Sequence, residues 1–328
     1  MLNMIDNYNR QMNYLRIAIT DRCNLRCTYC MPQENMTFLP KDDLLTFEEM
    51  FSLVSTFHRL GVNKLRLTGG EPFMRKGFVL FLQKLRHSFP KMKLHITSNG
   101  TLIQPFLSEL KPLDLNGINI SLDSINTEKF YSITKRNQLP LVLDTIQKLL
   151  QLNIPVKINA VIQAGVNEDD ILPLVDYFKD TSVHLRFIEF MPFNEKENYT
   201  LEWTGSRIVS EVKSKYPSLF TVPSKRNSTS INYKLTETSL FEFGVINGAS
   251  RTFCSTCNRI RLTSTGLLKT CLYANPSTDL KTLLRNGISE DELKTHIQKI
   301  VTHRFENGFE AQKSRENQLF ESMSKIGG

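Results

Sequence analysis

The chain has 328 residues, a formal net charge of +8 and a hydrophobic content of 40%. That length suits one large α/β domain plus a smaller one, and the composition is ordinary for a soluble globular protein. No run of 18 apolar residues occurs, which excludes a membrane-spanning helix.

The net positive charge predicts an anionic partner. Lys and Arg are spread along the chain, and neither a dense basic run nor a nucleic-acid motif occurs. A small polyanion in a basic pocket fits this distribution, and we expect no nucleic-acid partner and no membrane. The polar segment Met1–Gln11 lacks the apolar core of an export signal, which predicts a cytoplasmic protein whose six cysteines are thiols or metal ligands.

Apolar runs and helical periodicities alternate through the first 190 residues. The predicted strands are Leu15–Thr20, Lys64–Thr68, Leu94–Ser98, Gly117–Asp123, Val156–Ile162 and Val183–Met191. The predicted helices are 50–60, Phe78–His87, Gln104–Leu110, Pro140–Leu152 and Asp169–Lys179. A capping box at Thr46 and Glu49 precedes the first helix, and Gly61 ends it. Six βα units predict a parallel sheet in a partial (βα)6 TIM-like barrel.

Side chains alternate between the two faces of each strand, and one face is polar. Arg16, Arg66, Thr97, Asn119 and Lys157 belong to this face in five successive strands. A barrel interior is normally filled by branched apolar residues. A polar, basic lumen therefore predicts a binding cavity.

Cys23, Cys27 and Cys30 follow the first strand in a C-x3-C-x2-C pattern. A cubane iron–sulfur cluster normally takes four cysteines, so three leave one iron open to a ligand. A structural zinc site needs a fourth ligand, and His58 is the nearest. A disulfide framework needs an oxidising compartment. The spacing therefore favours a cluster with an open iron.

Thr68-Gly69-Gly70-Glu71-Pro72 follows the second strand. Paired glycines allow a close backbone approach, and Glu71 offers a carboxylate at the carboxyl end of the strand. In isolation this motif is an ordinary strand-to-helix turn more often than a ligand site.

The alternation stops near Phe193, and we predict a domain boundary near residue 220. Beyond it, the strands Ile231–Leu235 and Leu240–Phe243 form a predicted hairpin, and Thr278 and Ser289 are predicted helix N-caps. From His303 onwards we expect irregular structure.

Cys254, Cys257 and Cys271 form a second group of three cysteines. Two open clusters account for all six cysteines, whereas a four-cysteine zinc site drawn from both groups orphans two thiols. Arg259 and Arg261 share one face of a strand, and Arg suits bidentate phosphate recognition. Without the adjacent cysteines they are better read as solvated side chains.

Together these motifs resemble the MoaA-type GTP 3′,8-cyclases of molybdenum-cofactor biosynthesis, a family of the radical S-adenosylmethionine (SAM) superfamily. The resemblance covers nearly the whole chain. It rests on Thr20–Pro32, Thr68–Pro72, Ser121–Asp123, Arg186–Met191, Cys254–Arg261 with Cys271, and the terminal Gly327-Gly328.

The resemblance implies two [4Fe–4S] clusters, one on Cys23, Cys27 and Cys30 and one on the second group of cysteines. The implied SAM-site residues are Tyr29, Gly70, Glu71, Ser121 and Met191. The implied GTP-site residues are Arg16, Arg66, Thr97, Lys157, Arg259 and Arg261. The implied catalytic residues are Arg259, Arg261, Gly327 and Gly328, the last two as a tail that enters the active site. Residues 1–220 are then the radical SAM partial barrel, and residues 221–328 an α+β domain that carries the second cluster.

The resemblance also implies the reaction. A 5′-deoxyadenosyl radical takes the hydrogen from C3′ of GTP, and the sugar radical attacks C8 of guanine to give 3′,8-cyclo-7,8-dihydroguanosine triphosphate. Implied partners are a cyclic pyranopterin monophosphate synthase that consumes this product, an electron donor such as flavodoxin or ferredoxin, and a second copy of the chain in a homodimer. The alternative is a two-cluster radical SAM peptide maturase, against which the small number of downstream cysteines argues.

Overall fold

The structure is a computed structural model, and it describes residues 3–31, 37–191, 201–223, 227–315 and 326. Its contacts divide the chain into two compact units. The first unit contains residues 1–24, 35–97 and 254–328, and the second contains residues 25–34 and 98–253. The domain boundary near residue 220 stays a prediction.

The described residues include strands of two to seven residues and helices of up to thirteen. The strands are β1 (Tyr14–Ala18), β2 (Lys64–Thr68), β3 (Lys93–Ser98), β4 (Gly117–Ser121), β5 (Val156–Ile162), β6 (His184–Glu189), β7 (Phe220–Val222), β8 (Ser230–Lys234), β9 (Glu242–Ile246), β10 (Arg259–Leu262), β11 (Leu267–Lys269) and β12 (Thr278–Asp279). The α-helices are α1 (Phe47–Arg59), α2 (Phe78–Ser88), α3 (Leu107–Leu110), α4 (Thr127–Thr134), α5 (Leu139–Gln151), α6 (Ile171–Phe178), α7 (Gly205–Lys215), α8 (Leu280–Arg285), α9 (Glu290–Thr302) and α10 (Gly308–Lys313).

In the first unit the strands lie in the order β12-β11-β10-β1-β2-β3. Strand β1 pairs in parallel with both β2 and β10, and β2 pairs in parallel with β3. Strands β11 and β12 extend the sheet in antiparallel fashion. The C-terminal part of the chain thus places β10 directly beside β1.

The second unit repeats this plan. Strands β4, β5, β6 and β9 are parallel neighbours, and β8 and β7 extend the sheet in antiparallel fashion. The antiparallel pairing of β8 with β9 confirms the predicted hairpin.

The six predicted βα units are present, and most boundaries differ by one or two residues from the prediction. The capping box at Thr46 and Glu49 is confirmed, with each side chain accepting a hydrogen bond from the other residue's backbone N–H. Helix α1 buries Met50, Leu53 and Phe57 in the interior of the protein. Burial of each such side chain contributes about 1.5–3 kcal/mol.

The C-terminal segment differs from the prediction in two places. The N-cap of α8 is Asp279, because its carboxylate accepts from the N–H of Thr282, whereas Thr278 lies in β12. Ser289 caps α9 as predicted. Residues after His303 include the helix α10, which begins at the side-chain cap of Asn307, so the prediction of irregular structure was wrong there. No helix in the described part of the chain is long and apolar enough to cross a bilayer.

Candidate active site

Three neighbouring strands of the first unit present a block of basic side chains on one face. Arg16 of β1 lies in register with Arg66 of β2 on one side and with Arg261 of β10 on the other. One pleat earlier, Tyr14 lies between Lys64 and Arg259 in the same way. Residues in register share a face of the sheet. The pairing thus confirms that Arg259 and Arg261 share a strand face, and it brings them beside Arg16 and Arg66.

We call these side chains the cation face. Its members are Arg16, Lys64, Arg66, Arg259, Arg261 and Lys269, the last of which pairs with Arg261 across β10 and β11. The opposite face of the same strands is apolar, and Leu15, Ile17, Leu65 and Leu67 are all 0% exposed. One face of these strands is therefore buried in the core, and the basic groups occupy the other face.

Arg66 is held in a fixed orientation by three acceptors. Its Nη1 donates to the carbonyl of Ile96 and to Oγ1 of Thr97, both at 3.1 Å, and its Nε donates to Oη of Tyr14 at 2.6 Å. Thr97 thus contacts a residue of the cation face, and the role of both residues in a GTP site stays a prediction.

Sequence reasoning missed Tyr14, Lys64 and Lys269. Tyr14 and Lys64 precede Arg16 and Arg66 by two positions, so the period of two places them on the same face. Tyr14 is 6% exposed and Lys269 is 1% exposed. An aromatic residue at the start of an apolar strand is usually taken as core, and the pairing of Lys269 follows only from the tertiary fold.

Burial and like charge act together on the cation face. Burial lowers the pKa of Arg16 well below its usual value, and the charges of Arg261 and Arg66 lower it further. Burial also lowers the pKa of Arg261 to about 10, with a contribution from Arg259. Positive charges that repel one another in a partly buried site favour an anionic ligand.

Tyr14 has the opposite response. Burial raises the pKa of its hydroxyl, but the charges of Arg66, Arg16 and Lys64 outweigh burial and lower the pKa to about 7. Tyr14 in turn raises the pKa of Arg16 and of Arg261.

The second cysteine group lies beside the cation face. Cys254 begins a 3-10 turn that ends just before Cys257, Cys257 precedes β10 by two residues, and Cys271 follows β11. Nη1 of Arg259 lies 3.8 Å from Sγ of Cys257. All three cysteine residues are partly exposed, and none forms a disulfide.

A buried network outside the predicted site holds this cysteine loop. Arg304 donates through Nη1 to the carbonyl of Cys257 at 3.1 Å and through Nη2 to its Sγ at 3.5 Å. Arg10 donates to the carbonyl of Cys254 at 3.0 Å. Both arginines contact the carboxylate of Asp6, at 2.7 Å for Arg10 and 3.7 Å for Arg304.

The donor chemistry of this group fits an iron–sulfur cluster. Burial raises the pKa of Cys257, but the charges of Arg259 and Arg304 outweigh burial and lower it to about 6. The thiolate is the form that binds iron. Among the described residues, no three His, Cys, Asp or Glu side chains are grouped closely enough to bind a single metal ion. A four-iron cluster does not need its cysteines to meet at one ion, because each thiolate binds a separate iron.

In the first cysteine group, Cys27 and Cys30 belong to the second unit and Cys23 to the first. The backbone turns tightly here, since the N–H groups of Cys30 and Met31 both donate to the carbonyl of Cys27, at 2.9 and 2.7 Å. Tyr29 Oη donates to Oδ2 of Asp123 at 2.8 Å. Oδ1 of Asp123 accepts from the N–H of Val161 at 2.8 Å, so the carboxylate ties the cysteine turn to β5.

Gly70 lies against the backbone that leads to Cys23. Its N–H donates to the carbonyl of Thr20 at 2.8 Å, and the N–H of Glu71 donates to the carbonyl of Arg22 at 2.7 Å. Glu71 is 0% exposed, and its carboxylate accepts from the N–H of Phe73 at 3.2 Å. That carboxylate therefore already has a backbone donor, and its contact with SAM stays a prediction.

The remaining predicted side chains lie in the second unit. Ser121 ends β4 in register with Asn159, and Lys157 lies in register with Asn119 and His184. Met191 follows β6, and a Cβ on Gly248 would lie only 2.9 Å from its Sδ. Glu189 fixes the nearby loop by accepting from the N–H groups of Gly205 and Ser250, each at 2.8 Å. Gly327 and Gly328 lie outside the described residues.

Models of two known families match this chain in succession. The radical SAM superfamily matches residues 17–178, and the family described as Molybdenum Cofactor Synthesis C matches residues 183–309. The two matches define the class of protein: a radical SAM fold followed by a molybdenum-cofactor synthesis C-terminal region.

Two relatives narrow this class to one enzyme family. A GTP 3′,8-cyclase of Desulforamulus reducens is 38% identical over 331 residues, which cover 99% of this chain and 100% of that protein. Molybdenum cofactor biosynthesis protein 1 of Bos taurus is 39% identical over 292 residues, which cover 88% of this chain and 46% of that protein. The chain belongs to the GTP 3′,8-cyclase family.

Solved structures support the fold. SuiB of Streptococcus suis, determined with bound S-adenosylmethionine, superposes with a TM-score of 0.61 at 14% identity, over 88% of this chain and 69% of that one. The predicted fold class, a partial (βα)6 barrel followed by a C-terminal region, is thereby confirmed.

Proposed function

We propose that this chain is a radical SAM enzyme that converts GTP to (8S)-3′,8-cyclo-7,8-dihydroguanosine 5′-triphosphate in molybdenum-cofactor biosynthesis. Its relatives carry the names GTP 3′,8-cyclase and molybdenum cofactor biosynthesis protein 1. The observation that carries the proposal is the in-register cation face beside the second cysteine group. A triphosphate supplies the negative charge that this face favours.

Two four-iron clusters fit the six cysteines. We assign one to Cys23, Cys27 and Cys30, and the other to Cys254, Cys257 and Cys271. SAM bound at the first cluster would supply the radical chemistry that removes a hydrogen atom from C3′ of GTP. Tyr29, Gly70, Glu71, Ser121 and Met191 are the proposed SAM-site residues.

The chain itself provides binding, orientation and charge. Arg16, Arg66, Arg259, Arg261, Thr97 and Lys157 are the proposed GTP contacts. Arg66 is preoriented by Tyr14, Ile96 and Thr97, so little of its rotamer freedom remains to be lost on binding. A triphosphate fixed in this way places the ribose in one position, and such positioning accounts for much of the rate that an active site provides.

The Gly327-Gly328 tail is a proposed part of the active site. Ile326, the residue before it, is 1% exposed, so this side chain is buried. Glycines lack side chains and fit a narrow passage.

The proposed partners are a cyclic pyranopterin monophosphate synthase downstream, an electron donor such as flavodoxin or ferredoxin, and a second copy of the chain in a homodimer. We propose a cytoplasmic location, since the reductant and GTP are found there.

Anaerobic reconstitution tests the cofactors. Two clusters predict about eight irons per chain. Cys27→Ser should abolish SAM cleavage and retain half of the iron. Cys257→Ser should also retain half of the iron, but it should lose GTP cyclisation while SAM is still cleaved slowly. One zinc per chain with no iron uptake would contradict the assignment.

Binding measurements test the substrate site. Arg16→Ala or Arg66→Ala should weaken GTP binding by about 1.5–3 kcal/mol, the range for hydrogen bonds to charged groups. The loss should be smaller for guanosine, which has no phosphates. Arg59→Ala is the matched control, because this side chain is 58% exposed on α1. Equal losses for GTP and guanosine would show that the cation face does not bind phosphate.

A further inference from the structure

Six in-register positions on β10, β1 and β2 form the central block around the cation face, and Tyr14 is the one of these six that is not basic. Strands β10, β1 and β2 contribute Arg259 and Arg261, Tyr14 and Arg16, and Lys64 and Arg66 to this block. The phenol therefore has a cation in register on either side, and the side chain is 6% exposed.

The contacts of Tyr14 all suit a negatively charged oxygen and an electron-rich ring. Its Oη accepts from Nε of Arg66 at 2.6 Å. Nζ of Lys64 lies 4.2 Å from the ring centroid, and Cζ of Arg259 lies 6.0 Å from it. Cations over an aromatic face are attracted by its quadrupole, and an acceptor of a guanidinium bond is stronger when it is ionised.

We propose that Tyr14 is a proton-coupled counter-group of the cation face, whose phenolate balances these charges before GTP binds and takes a proton when the triphosphate arrives. The inference rests on the proposed function and adds a regulatory element to the same site. Its chemistry balances simply: a proton from solvent joins the phenolate oxygen, and no other bond changes.

The physical reason is competition between two anions for the same cations. The charged groups that face Tyr14 are Arg16 on its own strand, Lys64 and Arg66 on β2, and Arg259 and Arg261 on β10. Once a triphosphate neutralises these cations, they no longer stabilise the phenolate, and the phosphates repel it. The pKa of Tyr14 therefore rises from about 7 towards the usual value of 10. The neutral phenol still accepts from Arg66, and it gains an O–H donor that suits a phosphate oxygen.

The coupling has a defined sign. Because the pKa of Tyr14 is about 7 before binding and higher afterwards, GTP binding is accompanied by proton uptake. The affinity should therefore be unaffected by Tyr14 well below pH 7 and should weaken above it, by up to about tenfold per pH unit. The terminal phosphate of GTP also titrates near neutrality, so the effect of Tyr14 is the difference between wild type and Tyr14→Phe.

The test is anaerobic titration calorimetry of the cluster-loaded enzyme with GTP, in two buffers that differ in ionisation enthalpy. At about pH 7 the wild type should take up about half a proton more per GTP than Tyr14→Phe, and more than that at higher pH. Equal proton exchange and equal pH dependence in the two proteins would overturn the inference. A wild type that binds no GTP at any pH would instead overturn the proposed function.

A spectroscopic measurement on the wild type covers the case in which Tyr14→Phe does not fold. Addition of GTP should reduce the ultraviolet absorption of tyrosinate, and guanosine should not. Tyr131→Phe is the control, because Tyr131 is 49% exposed on α4 and should leave the signal unchanged. An unchanged tyrosinate signal on saturation with GTP would overturn the inference.

Discussion

Gly70→Ala tests why the turn after β2 needs a residue without a side chain at position 70. A Cβ at this position would lie 2.1 Å from the carbonyl oxygen of Arg22 and 2.9 Å from that of Asp21. These atoms belong to the backbone and cannot rotate away as a flexible side chain can. The two segments must therefore move apart by about 0.9 Å to reach the 3.0 Å below which Cβ contacts essentially do not occur.

The cost follows from overpacking and from one strained hydrogen bond. Overpacking typically costs about 1–3 kcal/mol. The displacement also stretches the bond from the N–H of Glu71 to the carbonyl of Arg22, now 2.7 Å, and a bond of this kind contributes about 0.5–1.5 kcal/mol. We expect Gly70→Ala to lower the free energy of unfolding by about 2–4 kcal/mol.

The displaced residue Arg22 immediately precedes Cys23, so the damage should centre on the first cluster. Iron analysis and electron paramagnetic resonance (EPR) of the reconstituted protein should show loss of that cluster and retention of the second. Gly165→Ala is the control, because Gly165 has a φ of +71° and a Cβ there would have no atom within 4 Å. This variant should lose about 1–2 kcal/mol of stability through left-handed backbone strain, and it should keep its full iron content. A Gly70→Ala protein with both clusters and wild-type stability would refute the steric argument.

Three further outcomes are expected. Arg304→Gln should lower the reduction potential of the second cluster in an EPR-monitored titration, because it removes a positive charge and a guanidinium donor from Sγ of Cys257. The control Arg59→Gln, on an exposed side chain, should leave this potential unchanged. Burial raises the pKa of Asp123 from 3.8 to about 6. The contribution of Asp123 to the free energy of unfolding is therefore complete below about pH 3.8 and is lost as the pH rises through about 6. Asp123→Asn should remove this pH dependence from the free energy of unfolding, measured by denaturant titration at several pH values. Deletion of Gly327 and Gly328 should abolish most GTP cyclisation in a product assay, whereas unchanged cyclisation would show that the tail is dispensable.

Local periodicity was enough to predict the βα units and the polar face. Arg16 and Arg66 alternate with leucine and isoleucine in their strands, and the structure places both on one face, as predicted. The hairpin of β8 and β9 and the cap at Ser289 are similarly local features. Such features follow from the sequence because the interactions that decide them lie within a few residues.

Long-range pairing could not be predicted in the same way. Nothing in the sequence shows that β10 pairs with β1 and not with another edge, so the register of Arg261 with Arg16 required the structure. Arg304 lies in a segment predicted to be irregular, yet its guanidinium reaches Cys257. Tyr14 lies in the polar phase of β1, but only the pairing places it between two cations.

The pairing of β10 with β1 has a chemical consequence that ends in a testable contrast. Arg259 contacts Sγ of Cys257 at 3.8 Å and lies 6.0 Å from the ring of Tyr14, so one side chain serves both the cysteine group and the cation face. Arg66 contacts Tyr14 and Thr97 instead. Arg259→Ala should therefore both weaken GTP binding and change the EPR signal of the second cluster, whereas Arg66→Ala should weaken GTP binding alone. Identical EPR signals in the two variants would show that the charge of Arg259 does not affect the second cluster. The cluster and the phosphate site would then be electrostatically independent.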